Sequence, residues 1–239
     1  KVYENVSFPF TQDAVFKNDN DQNDKEKEAK YWYYDSSQSS LYLTQDKDNS
    51  KYYLKSTKDS SDKDKSVNRD AGNAEKTTTD AKGNKIKTYG FFPFNESVGT
   101  GGASQYNYGF GAKLQFDFTL TNDGKVQVGN DANDKVPIKF FFSGDDDVWV
   151  YIDGQLVLDV GGAHGKASGL LEFGQTTDGK ANTVTPYVSS NKAGGEVYTE
   201  GAGGKSVYFN DKEVKFEKKG KIVDKDGNPF TLDKGTTHT

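Results

Sequence analysis

Three consecutive carboxylates, Asp145-Asp146-Asp147, are the residues of this chain whose type and spacing most suggest chemistry. They follow the apolar run Val136 to Phe142 and precede Val148 to Ile152. Side chains alternate sides at a strand end, so the three cannot all turn to solvent in the same way. Crowding like charges is unfavourable unless a cation or hydrogen-bond donors offset it. Hard carboxylate oxygens in a loop suit Ca²⁺, which takes about 6–8 oxygen ligands. Asp145, Asp146 and Asp147 are therefore the expected metal ligands and calcium the expected cofactor. The plainer alternative is a solvated turn after Ser143-Gly144.

Around the triplet stand Trp149, His164 and Asp153, the candidate ligand-binding residues. Trp149 and Tyr151 share one strand face, with Val148, Val150 and Ile152 on the other. Those rings, like Trp32, either stack on a sugar or fill a core. His164, after Gly161-Gly162-Ala163, is either a partner of the acidic loop or a structural histidine. His238 is expected at a frayed terminus.

The elements that must position these residues read as strands. Leu114 to Leu120 alternates with period two, which predicts a half-buried strand. Asn122-Asp123-Gly124 and Asp153-Gly154 are tight-turn signals, the second joining Val148–Ile152 to Leu156-Val157-Leu158 as a hairpin. Leu170–Phe173, Val207–Phe209, Val214–Phe216 and Ile222-Val223 predict further short strands. Residues 55–85 and 175–205 are rich in Ser, Thr, Asp, Asn, Lys and Gly, and are expected as long polar insertions. No amphipathic helix of normal length is read. The expected fold is all-β, an antiparallel β-sandwich with long polar loop insertions, forming a single domain over residues 1–239.

Composition narrows the function classes. Hydrophobic residues make up 32% of the chain, against a usual ~45–50% on a count that includes Gly, so a compact aromatic core must carry long hydrated loops. The 31 basic and 36 acidic residues give a net charge of −5, and Arg69 is the sole arginine. An acidic chain with almost no guanidinium is a poor reader of polyanions, so nucleic acid is not an expected partner. Without cysteine there is no disulfide, thiolate metal site or Cys nucleophile. No apolar run approaches the ~20 residues of a membrane span. Nothing marks a second carboxylate across a cleft, a Ser-His-Asp set or a phosphate-cradling loop, so an enzyme is not expected. Lys-to-Asn or Lys-to-Asp isopeptide bonds, of the kind found in Gram-positive surface proteins, have no motif here that picks out a pair.

The run Ser143-Gly144-Asp145-Asp146-Asp147-Val148-Trp149-Val150-Tyr151-Ile152-Asp153-Gly154, with Leu156-Val157 and Asp159-Val160-Gly161-Gly162-Ala163-His164-Gly165, resembles the fibro-slime domain of bacterial surface proteins. That family is similar to the protective-antigen-like β-sandwich shared with flocculin-type lectins. The close match covers residues 136 to 165. The resemblance implies a secreted adhesion or ligand-recognition module, carbohydrate being one ligand class, in the extracellular space, cell surface or cell wall of a Gram-positive bacterium. It implies a calcium role for Asp145 and Asp146; Asp147 stands where the wider family often has Gly. The expected partner is a surface glycan or protein ligand. Fibro-slime domains usually continue into further closing strands, so the closing C-terminal strands are expected to be missing here. The alternative function is a structural spacer or assembly module of a surface protein, completed by a C-terminal strand from another chain or a neighbouring subunit.

Overall fold

The computed structural model describes residues 2–13, 16–17, 25, 29–36, 41–46, 51–55, 65–66, 76–79, 82–88, 90–92, 109–145, 147–189, 204–209, 212–218, 222–224 and 226–239. These form strands and turns with no α-helix, as expected of an all-β chain. The chain divides into two compact units, Lys1–Gln12 with Trp32–Lys113, and Asp13–Tyr31 with Leu114–Thr239. β1 (Thr11–Asp13) and β3 (Tyr31–Tyr33) form a two-stranded pair.

The first unit contains a three-stranded sheet of β4 (Tyr42–Gln45), β5 (Tyr52–Lys55) and β6 (Lys65–Ser66), and a pair of β7 (Lys76–Thr79) with β8 (Lys85–Thr88). Its core is Leu41, Leu43 and Leu54, ringed by Tyr3, Val6, Phe8, Tyr34, Tyr52 and Phe91. Aromatic rings supply most of this small core, as the composition requires. Phe8 and Tyr34 meet edge to face, with centroids 4.9 Å apart. Strands β6 and β7 fall inside the stretch expected as an insertion at 55–85; the rest of that stretch before residue 82 lies outside the described residues.

The second unit carries the expected site. A seven-stranded sheet runs β12 (Lys139–Gly144), β15 (Ala167–Gln175), β16 (Ala181–Val188), β18 (Lys212–Lys218), β17 (Gly204–Phe209), β2 (Phe16–Lys17), and β19 (Thr231–Asp233) also pairs with β16. The remaining strands form pairs: β9 (Phe118–Thr119) with β20 (Thr237–His238), β10 (Lys125–Gln127) with β11 (Lys135–Pro137), and β13 (Val148–Ile152) with β14 (Gln155–Val160). These three pairings and the ladders of the large sheet run antiparallel.

β15 is buried on both faces from Ala167 to Leu171, which is why its sequence is apolar and small rather than alternating. Leu171 and Phe173 join a core with Ile152, Val157, Leu158 and Val160 of the β13–β14 hairpin. A fully buried Leu such as Leu158 or Leu171 contributes about 1.5–3 kcal/mol. Gly169 is required by this packing: a Cβ there would stand 2.6 Å from Val160 Cγ2 and 2.8 Å from Leu158 Cδ2. On the other face Leu170 pairs across the ladder with Phe141, whose ring meets Phe216 edge to face at 6.3 Å.

Two expectations about these strands are corrected. The stretch 175–205 is not one long insertion, because β16 occupies Ala181–Val188 with strictly alternating burial; residues 190–203 lie outside the described residues. The half-buried strand expected over Leu114–Leu120 is laddered only at Phe118–Thr119, and Leu114 and Phe116 are 48% and 58% exposed. Alternation marks one face as apolar, but a covering layer reaches only Phe118 and Leu120.

Candidate functional site

Two crossovers between the large sheet and the hairpin build the site. The chain leaves the sheet at Gly144, opposite Ala167, and enters the hairpin at Val148, opposite Val160. Residues 145–147 make that step in one direction, and residues 161–166 make the return step from β14 to β15. The ladder register thus sets the acidic loop beside the Gly-Gly-Ala-His-Gly loop, although local sequence does not pair them.

Asp145 and Asp147 are exposed, and Asp146 lies outside the described residues. His164 Nε2 stands 3.7 Å from Asp147 Oδ1, an ion-pair distance rather than a hydrogen bond. The His164 side chain is only 1% exposed. Its Nδ1 lies 2.5 Å from the Gly165 carbonyl and its Nε2 lies 2.9 Å from the Val160 carbonyl. Both nitrogens face acceptors, and only the protonated ring donates from both. The carbonyls of Gly165 and Val160, helped by Asp147 and Asp145, outweigh the ring's burial and raise its pKa above the usual histidine value. In its protonated form His164 backs the loop as a hydrogen-bonded cation.

The hairpin's outer face is aromatic. Trp149 and Tyr151 are 53% and 57% exposed, while Ile152 is buried. Of the two readings open for these rings, the described surroundings favour solvent over core. Gly161 seats the indole: a Cβ there would lie 3.1 Å from Trp149 Cζ2. The same glycine donates its N–H to Asp159 Oδ1 at 2.8 Å. Trp149 and Asp159 are direct cross-strand partners, so a flat apolar ring and a carboxylate stand side by side. Trp32, in the first unit, is 70% exposed.

Asp153 sits at the other end of the hairpin. It and Gly154 adopt φ of 51° and 81°, the two positive values that a two-residue type I′ turn demands. His238 Nδ1 lies 2.7 Å from Asp153 Oδ2, and the Thr239 N–H donates to Oδ1 at 3.1 Å. The Asp153 N–H in turn donates to the Thr239 carbonyl at 2.8 Å. Both carboxylate oxygens of Asp153 thus have protein partners. His238 is 4% exposed, so the expected frayed end is a packed one. Sequence reasoning missed this cluster because its two halves lie 85 residues apart.

Thr236 Oγ1 stands 3.1 Å from His238 Nε2, which completes an Asp–His–hydroxyl order. However, Nε2 is also 3.0 Å from the Asp233 carbonyl, and the Thr236 hydroxyl donates to that same carbonyl at 3.1 Å. A nucleophile needs its proton aimed at the base, and here the backbone takes it.

As a cation site, the loop has the right oxygen chemistry but a partial set. Among the described residues, no group of three or more His, Cys, Asp or Glu side chains is gathered closely enough to hold a metal. Asp145 and Asp147 are the described residues that would hold calcium, and backbone, water or ligand oxygens would have to complete its shell. Among the described residues, no helix is long and apolar enough to cross a membrane.

No family model matches the chain, and no solved structure matches it. It is similar to proteins of Dictyostelium discoideum. Protein psiO is 39% identical over 87 residues, which is 36% of this chain and 10% of that protein. Protein psiI is 40% identical over 80 residues, 32% of this chain and 9% of that protein. Protein psiP is 41% identical over 66 residues, 28% of this chain and 7% of that protein. The matches span a tenth or less of these relatives' length. They also correct one expectation: the relatives belong to a eukaryote, so the placement in a bacterial cell surface or wall does not stand.

Proposed function

We propose that this chain is a non-catalytic ligand-recognition module of the adhesion type. Its contact surface is the outer face of β13 together with the acidic crossover, and its ligand class is carbohydrate. The observation that carries the reading is the pair of solvent-facing rings, Trp149 and Tyr151, on the strand that follows exposed Asp147. A sugar presents an apolar face and a rim of hydroxyls. An indole stacks on the first, and carboxylates such as Asp159, Asp145 and Asp147 accept from the second. Asp145 to Asp147 would also hold calcium, which supplies a positive centre for hydroxyl oxygens. The resemblance of residues 136 to 165 to fibro-slime domains, and through them to flocculin-type lectins, points the same way.

Glycan-array binding, followed by titration of the best glycan, tests the reading. Trp149→Ala should weaken that binding on the order of tenfold, about 1.4 kcal/mol, with little change in melting temperature. Asp145→Asn with Asp147→Asn, or a calcium chelator, should abolish it. A folded protein that binds no glycan, with or without calcium, would remove the proposal. Chelator that lowers the melting temperature without any glycan signal would leave calcium a structural role only.

A second reading, a structural module completed by a strand from another chain, is favoured by one observation. The segment from Gly111 to Phe116 is exposed, presents Leu114 and Phe116 to solvent, and makes no backbone hydrogen bond to another described residue. Unpaired backbone beside apolar side chains is what strand addition uses. Light scattering should then show self-association that Phe116→Lys abolishes; a monomer at every concentration, with no co-purifying peptide by mass spectrometry, argues against it.

A further inference from the structure

We propose that Asp153 and His238 form an acid-released clasp, which holds Thr237–Thr239 on the hairpin turn and so keeps β20 paired with β9. The ladder itself is minimal, Thr237 opposite Thr119 and His238 opposite Phe118. A two-residue ladder has too few hydrogen bonds to persist by itself. What surrounds it is a ring of contacts centred on one carboxylate. Asp153 Oδ2 faces His238 Nδ1 at 2.7 Å, Oδ1 takes the Thr239 N–H at 3.1 Å, and the Asp153 N–H returns a bond to Thr239 at 2.8 Å.

Every element packed on the clasp contributes to its charge environment. From β20 comes His238 itself, followed by Thr239, whose hydroxyl donates to Asp117. From the end of β19 comes Asp233, through its carbonyl, and from β9 comes the Phe118 ring, with its centroid 5.7 Å from the imidazole. Of the charged side chains on these elements, Asp153 meets the imidazole, Asp117 meets the Thr239 hydroxyl, and Asp233 reaches the ring through its backbone. Protonating Asp153 removes its charge and converts one of the two oxygens that His238 and the Thr239 N–H use from acceptor to donor.

Partial burial works against the Asp153 charge, but the bonds from His238 and Thr239 outweigh it and hold the carboxyl below the usual range. The sign follows from the linkage. A carboxyl depressed in the folded state contributes stability that is present above the ordinary value of about 3.9. That stability is lost as pH falls through the lower folded value. The clasp is closed near neutrality and opens in acid. Opening uncovers Phe118 and frees the edge of β9, extending the exposed run of Leu114 and Phe116.

Amide hydrogen exchange by NMR on the full chain, between about pH 6 and about pH 3 and corrected for intrinsic rates, tests this. The amides of Asp153 and Thr239 should lose about tenfold in protection at the acidic end, while Leu170 and Leu171 in β15 keep theirs. Asp153→Asn retains a residue that tolerates positive φ, so the turn survives. In that variant the two amides should be open at both pH values, with no step between them. His238→Gln should open them partly. Equal loss at Leu170 and Leu171 would mean global unfolding and overturn the proposal. A pH step that persists in Asp153→Asn would overturn it as well.

Discussion

The β13–β14 hairpin has a buried histidine facing an aspartate at each end, and the two ends are built to opposite purposes. At the turn end His238 meets Asp153 at 2.7 Å, and both oxygens of that carboxylate have protein partners. At the open end His164 stays 3.7 Å from Asp147, and its ring spends its hydrogen bonds on the Val160 and Gly165 carbonyls. The same two residue types close one carboxylate into the fold and leave the other to solvent. A hydrogen bond of 2.7 Å needs alignment and excludes competitors, whereas a charge at 3.7 Å steadies a carboxylate and leaves its lone pairs available. On the proposed reading, ligand capacity belongs to the open end and conformational control to the turn end.

The sharpest way to break this contrast is to remove what both ends share. Leu158 is fully buried between the hairpin and the sheet. Leu158→Ala should cost about 2–5 kcal/mol, and thermal melting should show the largest drop of any change considered. Glycan binding at the open end and amide protection at the turn end should fall together. If one end survived intact, the hairpin would not be the common frame.

A smaller change separates the ends. Gly154 holds φ of 81° in the turn, a conformation that an L side chain adopts only with strain. Gly165, beside the acidic loop, is not among the positive-φ glycines, and a Cβ there would meet nothing within 4 Å. Gly154→Ala should destabilise by about 1 kcal/mol, and Gly165→Ala should stay within about 0.5 kcal/mol of wild type. Chemical denaturation measures both, and equal costs would remove the distinction between a strained, closed end and a relaxed, open one.

How much of this was legible in the sequence depended on how local each signal is. The Asp153-Gly154 turn and its flanking strands are local, and they stand as expected. The turn Thr121-Asn122-Asp123-Gly124-Lys125 was also readable: Thr121 and the Lys125 N–H both donate to Asp123 Oδ1. Its twin, Thr176-Thr177-Asp178-Gly179-Lys180, makes the same bonds to Asp178 Oδ1. It was lost in a stretch whose Gly and Thr content reads as loop. The strand that follows hid for a physical reason. Its buried face is Asn182, Val184, Pro186 and Val188, half of it not aliphatic. Asn182 is tolerated inside because its amide donates to Gly174 and Thr121 carbonyls at 2.9 and 3.1 Å. Pro186, which cannot donate to a ladder, falls between the residues of β16 paired with β19 and those paired with β18. His164 was readable as one of two alternatives, a partner of the acidic loop or a structural residue, whereas the His238 contact was not, since its partner lies 85 residues away.

The smallest effect expected is also the one that most directly contrasts the two histidines. His164 has a raised pKa, so the stability it contributes is fully present below about 6.5 and is lost as pH rises through its folded value. The loss is one ring donor, worth about 0.5–1.5 kcal/mol. The clasp at the turn end has the opposite sign, because its depressed carboxyl loses stability as pH falls. Melting curves of wild type and His164→Gln between about pH 6 and about pH 8.5 should therefore differ in slope. The wild type should lose stability on the alkaline side of that window and the variant should be flat across it, since the loss at the turn end begins only in acid, below both pH values. A variant with the wild-type alkaline slope would show that His164 carries no proton of consequence. The acidic loop would then owe its conformation to backbone hydrogen bonds alone, and the open end would have no internal cation to hold Asp147 in place.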